Sequence, residues 1–462
     1  MSDVKISVIL PSLNVANYIR KSIESVMRQT MQEIEILCID AGSTDGTLEI
    51  INELAKTDPR IRVIQSDRKS YGYQVNMGIR LARGKYIDIV ETDDYIRPGM
   101  LEDLYRQAEE YQLDFIKADF ICMTIVKGRS FFRKISNLEE EYLYLYHQII
   151  NPQDHPELQA QCHNIWNGIY RRTLLLSKNI LLNESKGAAF QDIAFHHLLY
   201  ARAERMMYVP EQYYVYLENR DSNSMSSSKG LSYCRNEYEH LFDVLTKGEL
   251  VHNKRYIMRK IVRTSLFFEI NKVLRIKHYH IDENDVVKPI AWFGEVVRKA
   301  EEDGSLHLED FTEGEQNNLK MILESIDQYA SDLEESDQKK RRKILEDKKN
   351  LEGTGKPLIL FGAGRRGTEF LIQAFTEDIA IAAITDNAEK LWGKQIEQIP
   401  ILSPKEIRER YPDAIYIIAN KNAGSSIYQQ LLQMGCREKQ IFQYIPEDGI
   451  QDTRIDYKNS KA

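Results

Sequence analysis

Between residues 5 and 125, short β-branched runs alternate with stretches of helical spacing, and few architectures accommodate that rhythm. Lys5–Leu10 (KISVIL), Ile34–Ile39, Ile61–Gln65 and Tyr86–Val90 read as strands. The intervening stretches 17–29, 47–56 and 74–83 read as helices, with Tyr18, Ile19, Ile23, Val26 and Met27 at helical spacing in the first. Strands separated in this way form βαβ units around a mainly parallel sheet. Ligands of such sheets sit beyond the carboxyl ends of the strands. Those ends carry Pro11–Asn14, Asp40–Thr47, Asp67–Tyr73 and Glu91–Tyr95, so the polar residues fall where a site is built.

The remainder divides by pattern. Residues 126–228 mix aromatic-rich helices with short extended pieces and end in the Ser-rich loop Ser222–Lys229. From about 231 to 350 the pattern is helical and increasingly charged, including the run Glu334–Lys349, whose interleaved signs read as a solvated helix or linker. Alternation restarts with Leu358–Phe361, a helix from about 366, then strands at Ile379–Ile384 and Ile415–Ala419. The expected parts are 1–228 (a nucleotide half, 1–125, and an acceptor half, 126–228), 229–352 and 353–462. A length of 462 residues fits two or three domains. With 62 Lys+Arg against 70 Asp+Glu, the net charge of -8 argues against a dedicated nucleic-acid binder. Cys38, Cys122, Cys162, Cys234 and Cys436 are scattered and odd in number, which argues against a disulfide scaffold or zinc ribbon. The opening MSDVKISVILPSLN lacks a basic n-region and breaks at Pro11, and no run of about 18 apolar residues occurs, so a cytoplasmic protein is expected.

Two segments carry chemistry. Glu91-Thr92-Asp93-Asp94 concentrates negative charge at a strand end. A hard divalent cation, Mn²⁺ or Mg²⁺, would relieve it; equally, Asp93 or Asp94 would cap a helix from about 98. Asp40-Ala-Gly-Ser-Thr-Asp-Gly-Thr47 has the same double reading, as a ligand loop or as a helix cap through Thr44 or Asp45.

Taken together and in order, KISVILPSLN, the strand ending in DAGSTDGT, and VNMGIRLARGKYIDIVETDD resemble the family 2 glycosyltransferases of the GT-A fold. The resemblance is strong over 4–125 and looser to about 225. It implies an α/β nucleotide-sugar-binding domain and a metal-dependent inverting transferase. That enzyme would move a sugar from a nucleotide-sugar donor to a hydroxyl of a glycan or lipid-linked glycan, as in cell-wall or polysaccharide biosynthesis. On this resemblance Pro11, Asn14 and Asp40 line the nucleotide pocket. Thr92, Asp93 and Asn76 belong to the donor site, and Asp93 and Asp94 hold the metal, with Glu91 in place of the usual leading Asp. Asp192, in Gly187-Ala-Ala-Phe-Gln-Asp192, falls on the catalytic base, unless it merely caps its own helix. Trp166 and Asn167 fall in the acceptor half, where Trp166 would stack on a sugar or fill core. Arg220 and Arg68 are phosphate candidates. Ala41, Val75 and Gln191 depart from the family pattern and blur donor identity. His196 and His197 follow Asp192 and are read as structural.

Leu358-Ile-Leu-Phe-Gly362-Ala-Gly364-Arg-Arg-Gly367 is a strand, a glycine turn and a helix, with Asp386 at the next strand end. That is the context of a dinucleotide fingerprint, in which Asp386 would meet a ribose. The segment resembles small Rossmann-like modules attached to sugar-modifying enzymes, which leaves a structural or oligomerising role, a nucleotide or nucleotide-sugar, and NAD as readings. No Tyr-x-x-x-Lys accompanies it. The competing functions are an NAD-linked sugar oxidoreductase or epimerase and a non-catalytic nucleotide-sugar-binding scaffold. Peripheral association with the inner membrane face and a homo-oligomer are compatible with the transferase reading.

Overall fold

The computed structural model describes residues 4–218, 227–420, 423–445 and 449–452. The chain packs as two units: 1–122 with 134–331, and 123–133 with 332–462.

The first unit is built on a nine-stranded sheet: β1 (Ile6–Ser12), β2 (Ile34–Asp40), β3 (Ile61–Gln65), β4 (Tyr86–Ile89), β5 (Tyr95–Ile96), β6 (Phe115–Val126), β7 (Arg129–Ile135), β8 (Gly168–Arg171) and β9 (Met206–Leu217). Its order is β3-β2-β1-β4-β8-β6-β9-β5, with β7 on β6. The stretch β3-β2-β1-β4 is parallel, as the alternation predicts, whereas β8 joins both β4 and β6 in antiparallel pairing. The sheet is therefore mixed. Every residue of β1 and β2 is buried, the mark of strands covered on both faces. Helix Ala16–Met27 covers one face through Ile19, Ile23 and Val26. Helix Tyr71–Leu81 lies so close to β1 that a Cβ on Gly78 would come within 2.7 Å of Ile9. That helix starts three residues earlier than its spacing predicts, because the Ser70 side chain caps it by accepting from Tyr73 N–H.

The acceptor-half segment contains a twelve-residue strand, β9, that its mixed pattern conceals. The helices between Gly230 and Glu324 pack in this first unit.

The second unit carries β10 (Leu358–Phe361), β11 (Ala383–Thr385), β12 (Gln395–Ile396), β13 (Ile399–Leu402), β14 (Ile415–Ile418), β15 (Ile441–Ile445) and β16 (Gly449–Asp452), in the order β12-β13-β11-β10-β14-β15-β16. The strand expected at 379–384 is displaced to 383–385. Ile379 instead closes the preceding helix, its N–H donating to Ala374 O while its side chain enters the core. The hairpin tip 123–133 belongs to this unit: Phe131 is buried in its core, and Lys127 pairs with Asp378 at 2.6 Å. The charged run 334–349 lies within one long helix, Ile326–Gly353.

Candidate active site

The carboxyl ends of β1, β2 and β4 converge, and the chain's own hydrogen bonds decide which polar groups there remain for a ligand. Asp40 is fully buried. One of its oxygens accepts from the N–H groups of Gly42 and Ser43, both at 2.9 Å, and the other from Ser43 Oγ at 2.5 Å. The carboxylate thus shapes the 40–47 loop instead of reaching a nucleotide base. Asn14, in the left-handed region at φ 56°, extends the lacing: its Oδ1 accepts from Thr44 N–H at 2.9 Å, and its N–H donates to Ser43 Oγ at 2.9 Å. Asp45 Oδ1 accepts from Thr47 N–H at 3.0 Å and Thr47 Oγ1 at 2.6 Å just ahead of helix Thr47–Ala55, whose N-cap is Gly46 with no side-chain cap. Pro11 O accepts from the buried Thr92 Oγ1 at 2.9 Å, tying the ends of β1 and β4 together.

Beyond β4, one carboxylate oxygen from each of Glu91, Asp93 and Asp94 lies within 4.8 Å of the others. The capping alternative does not hold here: helix Met100–Glu110 begins behind Gly99, with no side-chain cap. Asp94 is buried and turned toward β9, where it accepts from Tyr214 Oη at 2.9 Å and Leu217 N–H at 2.7 Å. Burial, and then the neighbouring charge of Glu91, push its pKa well above the ordinary carboxylate value, while those two donors oppose the rise. A cluster of oxygen donors under this electrostatic load fits Mn²⁺ or Mg²⁺.

Asp192 opens helix Asp192–Arg202, where negative charge meets the positive end of the helix dipole. Its side chain is 24% exposed, and Nε2 of His163 stands 3.5 Å from its Oδ2. Burial, and then Glu91, push the Asp192 pKa up to about 7; Lys260 and Lys117 act in the opposite sense. The approach to this residue is laced to the first domain half: Tyr71 N–H donates to Gly187 O at 2.8 Å, and Gly187 N–H to Lys69 O at 3.1 Å. Gln191, which departs from the family pattern, is buried and donates to Ser185 Oγ at 3.0 Å and Gly187 O at 3.2 Å. It pins the loop in front of Asp192.

Several expected contacts resolve otherwise. Asn76 is buried and clamps the chain at Leu182, donating to its carbonyl at 2.9 Å and accepting from its N–H at 3.0 Å. Its second amide hydrogen goes to Glu184 Oε1 at 3.1 Å, so both of its donors are engaged within the chain. Arg68 is exposed, 3.4 Å from Glu184 and 4.4 Å above the Tyr73 ring. Trp166 fills core: Tyr214 stacks on it at 4.2 Å and Tyr216 at 5.4 Å, with Phe120 edge-on at 4.8 Å. Enclosed by aromatic rings, it has no face for a sugar. Asn167 is fully buried, donating to Ala118 O and Asn137 Oδ1 at 2.8 Å each, so it joins β6 to its surroundings and not to an acceptor. Arg220 lies outside the described residues. His196 and His197 are buried beside Gln159, as structural histidines.

In the second unit, Gly362 adopts φ 121°, and a Cβ on Gly367 would come within 1.9 Å of Gly362 O. Those two glycines serve the turn and the close helix approach; Gly364 stands in open space. Asp386 accepts from Ala363 N–H and Ala388 N–H, each at 2.8 Å. The carboxylate expected at a ribose therefore binds its own glycine turn.

Residues 7–175 match the model of glycosyl transferase family 2, and residues 355–442 that of C2185-like, N-terminal. The chain is 30% identical over 247 residues to the glycosyltransferase GlyG of Streptococcus pneumoniae, covering 52% of this chain and 78% of GlyG. It belongs to glycosyl transferase family 2. The uncharacterized glycosyltransferase EpsJ of Bacillus subtilis is 32% identical over 225 residues, which span 47% of this chain and 62% of EpsJ. Among solved structures, TarS of S. aureus shares the fold, with a TM-score of 0.53 at 20% identity over 72% of this chain and 91% of that one. The GT-A architecture thus accounts for the first unit.

Within this family 2 framework, four residues stand near the candidate base that the motifs do not flag: Tyr71, Lys117, His163 and Lys260. The Tyr71 hydroxyl is buried, and its pKa is raised by burial and by the charges of Glu91 and Asp192. Lys117 is 1% exposed in a strand otherwise nearly free of cations. A lone lysine inside FIKADFICMTIV is the signal that was available for it.

Proposed function

We propose that this chain is a metal-dependent inverting glycosyltransferase that moves a sugar from a nucleotide-sugar donor to a hydroxyl of a glycan acceptor. The observation that carries the reading is the Glu91, Asp93 and Asp94 cluster, beside Asp192, which burial and then the charge of Glu91 raise to about 7. Glu91, Asp93 and Asp94 would hold Mn²⁺ or Mg²⁺, which when bound supplies charge neutralisation for the departing nucleoside diphosphate. Asp192 accepts the proton of the acceptor hydroxyl as that oxygen bonds to the anomeric carbon, and the bond to the diphosphate breaks on the opposite side. A pKa near 7 suits a base that must be ionised yet basic. Tyr214 and Leu217 hold Asp94 in place, and the 40–47 loop, ordered by Asp40 and Asn14, walls the donor side.

A solved complex of TarS with UDP-GlcNAc, similar in fold at a TM-score of 0.50, supports a nucleotide-sugar donor. The acceptor class we favour is a lipid-linked or cell-surface glycan handled at the inner membrane face. Among the described residues no helix is long and apolar enough to cross a membrane, so contact there would be peripheral. The engagement of Asp386 with its own turn speaks against the NAD-linked alternative.

The test is nucleoside-diphosphate release from UDP-, GDP-, CDP- and dTDP-sugars with Mn²⁺ or EDTA. Release from one donor, lost with EDTA and with Asp93→Ala, is expected. Absence of release with Mn²⁺-dependent nucleotide binding retained would leave the nucleotide-sugar-binding scaffold, and absence of both would leave a non-catalytic scaffold without a nucleotide site.

A further inference from the structure

Beside Asp192 lies a buried cluster that this transfer scheme does not use. Lys260 Nζ donates to Ala160 O at 3.2 Å and Gln161 O at 2.6 Å, and Lys117 Nζ donates to Cys162 O at 3.2 Å. Two ammonium groups therefore grip three successive carbonyls immediately ahead of His163. On the far side, Tyr170 Oη donates to Ile165 O at 2.7 Å. Burying two cations against neutral carbonyls is costly. Burial pushes Lys117 down to about 8 and lowers Lys260 as well. What this arrangement fixes is the placement of one imidazole.

Nε2 of His163 is 3.5 Å from Asp192 Oδ2, and its Nδ1 is buried with no hydrogen-bond partner. Burial, Lys260 and Lys117 hold the ring far below the ordinary histidine value, so it is neutral. A second proton on Nδ1 would also be an unsatisfied buried donor. With the carboxylate facing Nε2, the single ring proton resides there. At 3.5 Å the pair lies beyond the 2.7–3.2 Å range of an N–H···O hydrogen bond, a gap that closes if the site tightens around its substrate.

We propose that His163 is a positioning residue for Asp192, its Nε2–H holding one carboxylate oxygen while the turn gripped by Lys117 and Lys260 sets the distance. Oδ1 of Asp192 then receives the acceptor proton, and the imidazole keeps its own proton throughout. This rests on the reading of Asp192 as the base.

The experiment compares His163→Gln, whose amide N–H reaches the Nε2 position, with His163→Asn, whose amide stops near Nδ1. Turnover of nucleoside-diphosphate release from the donor found in the panel is read separately from donor KM. His163→Asn is expected to lower kcat by about tenfold to a hundredfold with donor KM and melting temperature unchanged. His163→Gln is expected to restore most of it. Equal effects of the two amides, or a loss confined to KM or stability, would overturn the proposal. Asp192→Asn separates the two levels: full turnover in that variant removes the underlying reading. A dead Asp192→Asn beside an intact His163→Asn removes only this inference.

Discussion

The two units place acids at strand ends in similar surroundings and use them in opposite ways. In the second unit Asp386 gives one carboxylate oxygen to Ala363 N–H of the glycine turn and the other to Ala388 N–H of its own turn, both at 2.8 Å. In the first unit the acids beyond β4 gather within 4.8 Å of one another, and burial together with the charge of Glu91 raises Asp192 to about 7. Asp40 shows the second behaviour inside the first unit, since N–H groups of its own loop and Ser43 Oγ take up its carboxylate. An acid at a strand end is therefore ambiguous until its donors are counted. Asp40 and Asp386 meet chain donors; Asp94 also takes donors, from Tyr214 Oη and Leu217 N–H, yet shares its place with Glu91 and Asp93, and that accumulated like charge marks a candidate for chemistry.

The contrast predicts its own tests. The largest effect belongs to Asp192→Asn, which should reduce transfer about a thousandfold while Mn²⁺-dependent nucleotide binding persists. Calorimetry and turnover on the same preparation check both halves. Next, because Asp192 acts ionised and is raised to about 7, kcat should fall as pH drops below about 7, approaching tenfold per unit at low pH. A profile flat down to pH 5 would mean that the base lies elsewhere.

Asp40→Ala and Asp386→Ala form the matched pair. Each strands backbone N–H groups and should cost on the order of 1–3 kcal/mol, read as a lower melting temperature. Only Asp40→Ala should also reduce donor binding, because the proposed function puts its loop at the donor. Loss of transfer in Asp386→Ala would break the comparison.

The smallest effect concerns Asp88, fully buried in β4, whose pKa burial pushes well above the ordinary value. Its folded pKa exceeds its unfolded pKa, so the wild type loses stability as pH rises from about 4. Asp88→Asn lacks that dependence, and its melting temperature should gain on the wild type as pH increases. A constant offset between the two across pH would assign the Asp88 carboxyl an ordinary pKa.

How far the sequence could be read follows from what each signal depends on. β1, β2, β3 and β4 fall within a residue or two of expectation: β1, β2 and β4 are buried throughout and read as largely apolar runs, while the partly buried β3 is marked by its β-branched residues. β9 and the displaced β11 were obscured, since one lies in a mixed aromatic segment and the other begins after a residue that closes a helix. Trp166 and Asn76 look like ligand residues in a motif. Only packing reveals that three aromatic rings enclose the first and that the backbone of Leu182 occupies the second.

By itself, then, the sequence determined the parallel core, the family resemblance and the acids that matter, because residue type and spacing along a strand are local properties. Tertiary structure decided which acids are engaged by N–H groups, and it brought Lys117, His163 and Lys260 to Asp192 from separate elements. Burial and partner counting depend on residues far apart in the chain. No local pattern contains them.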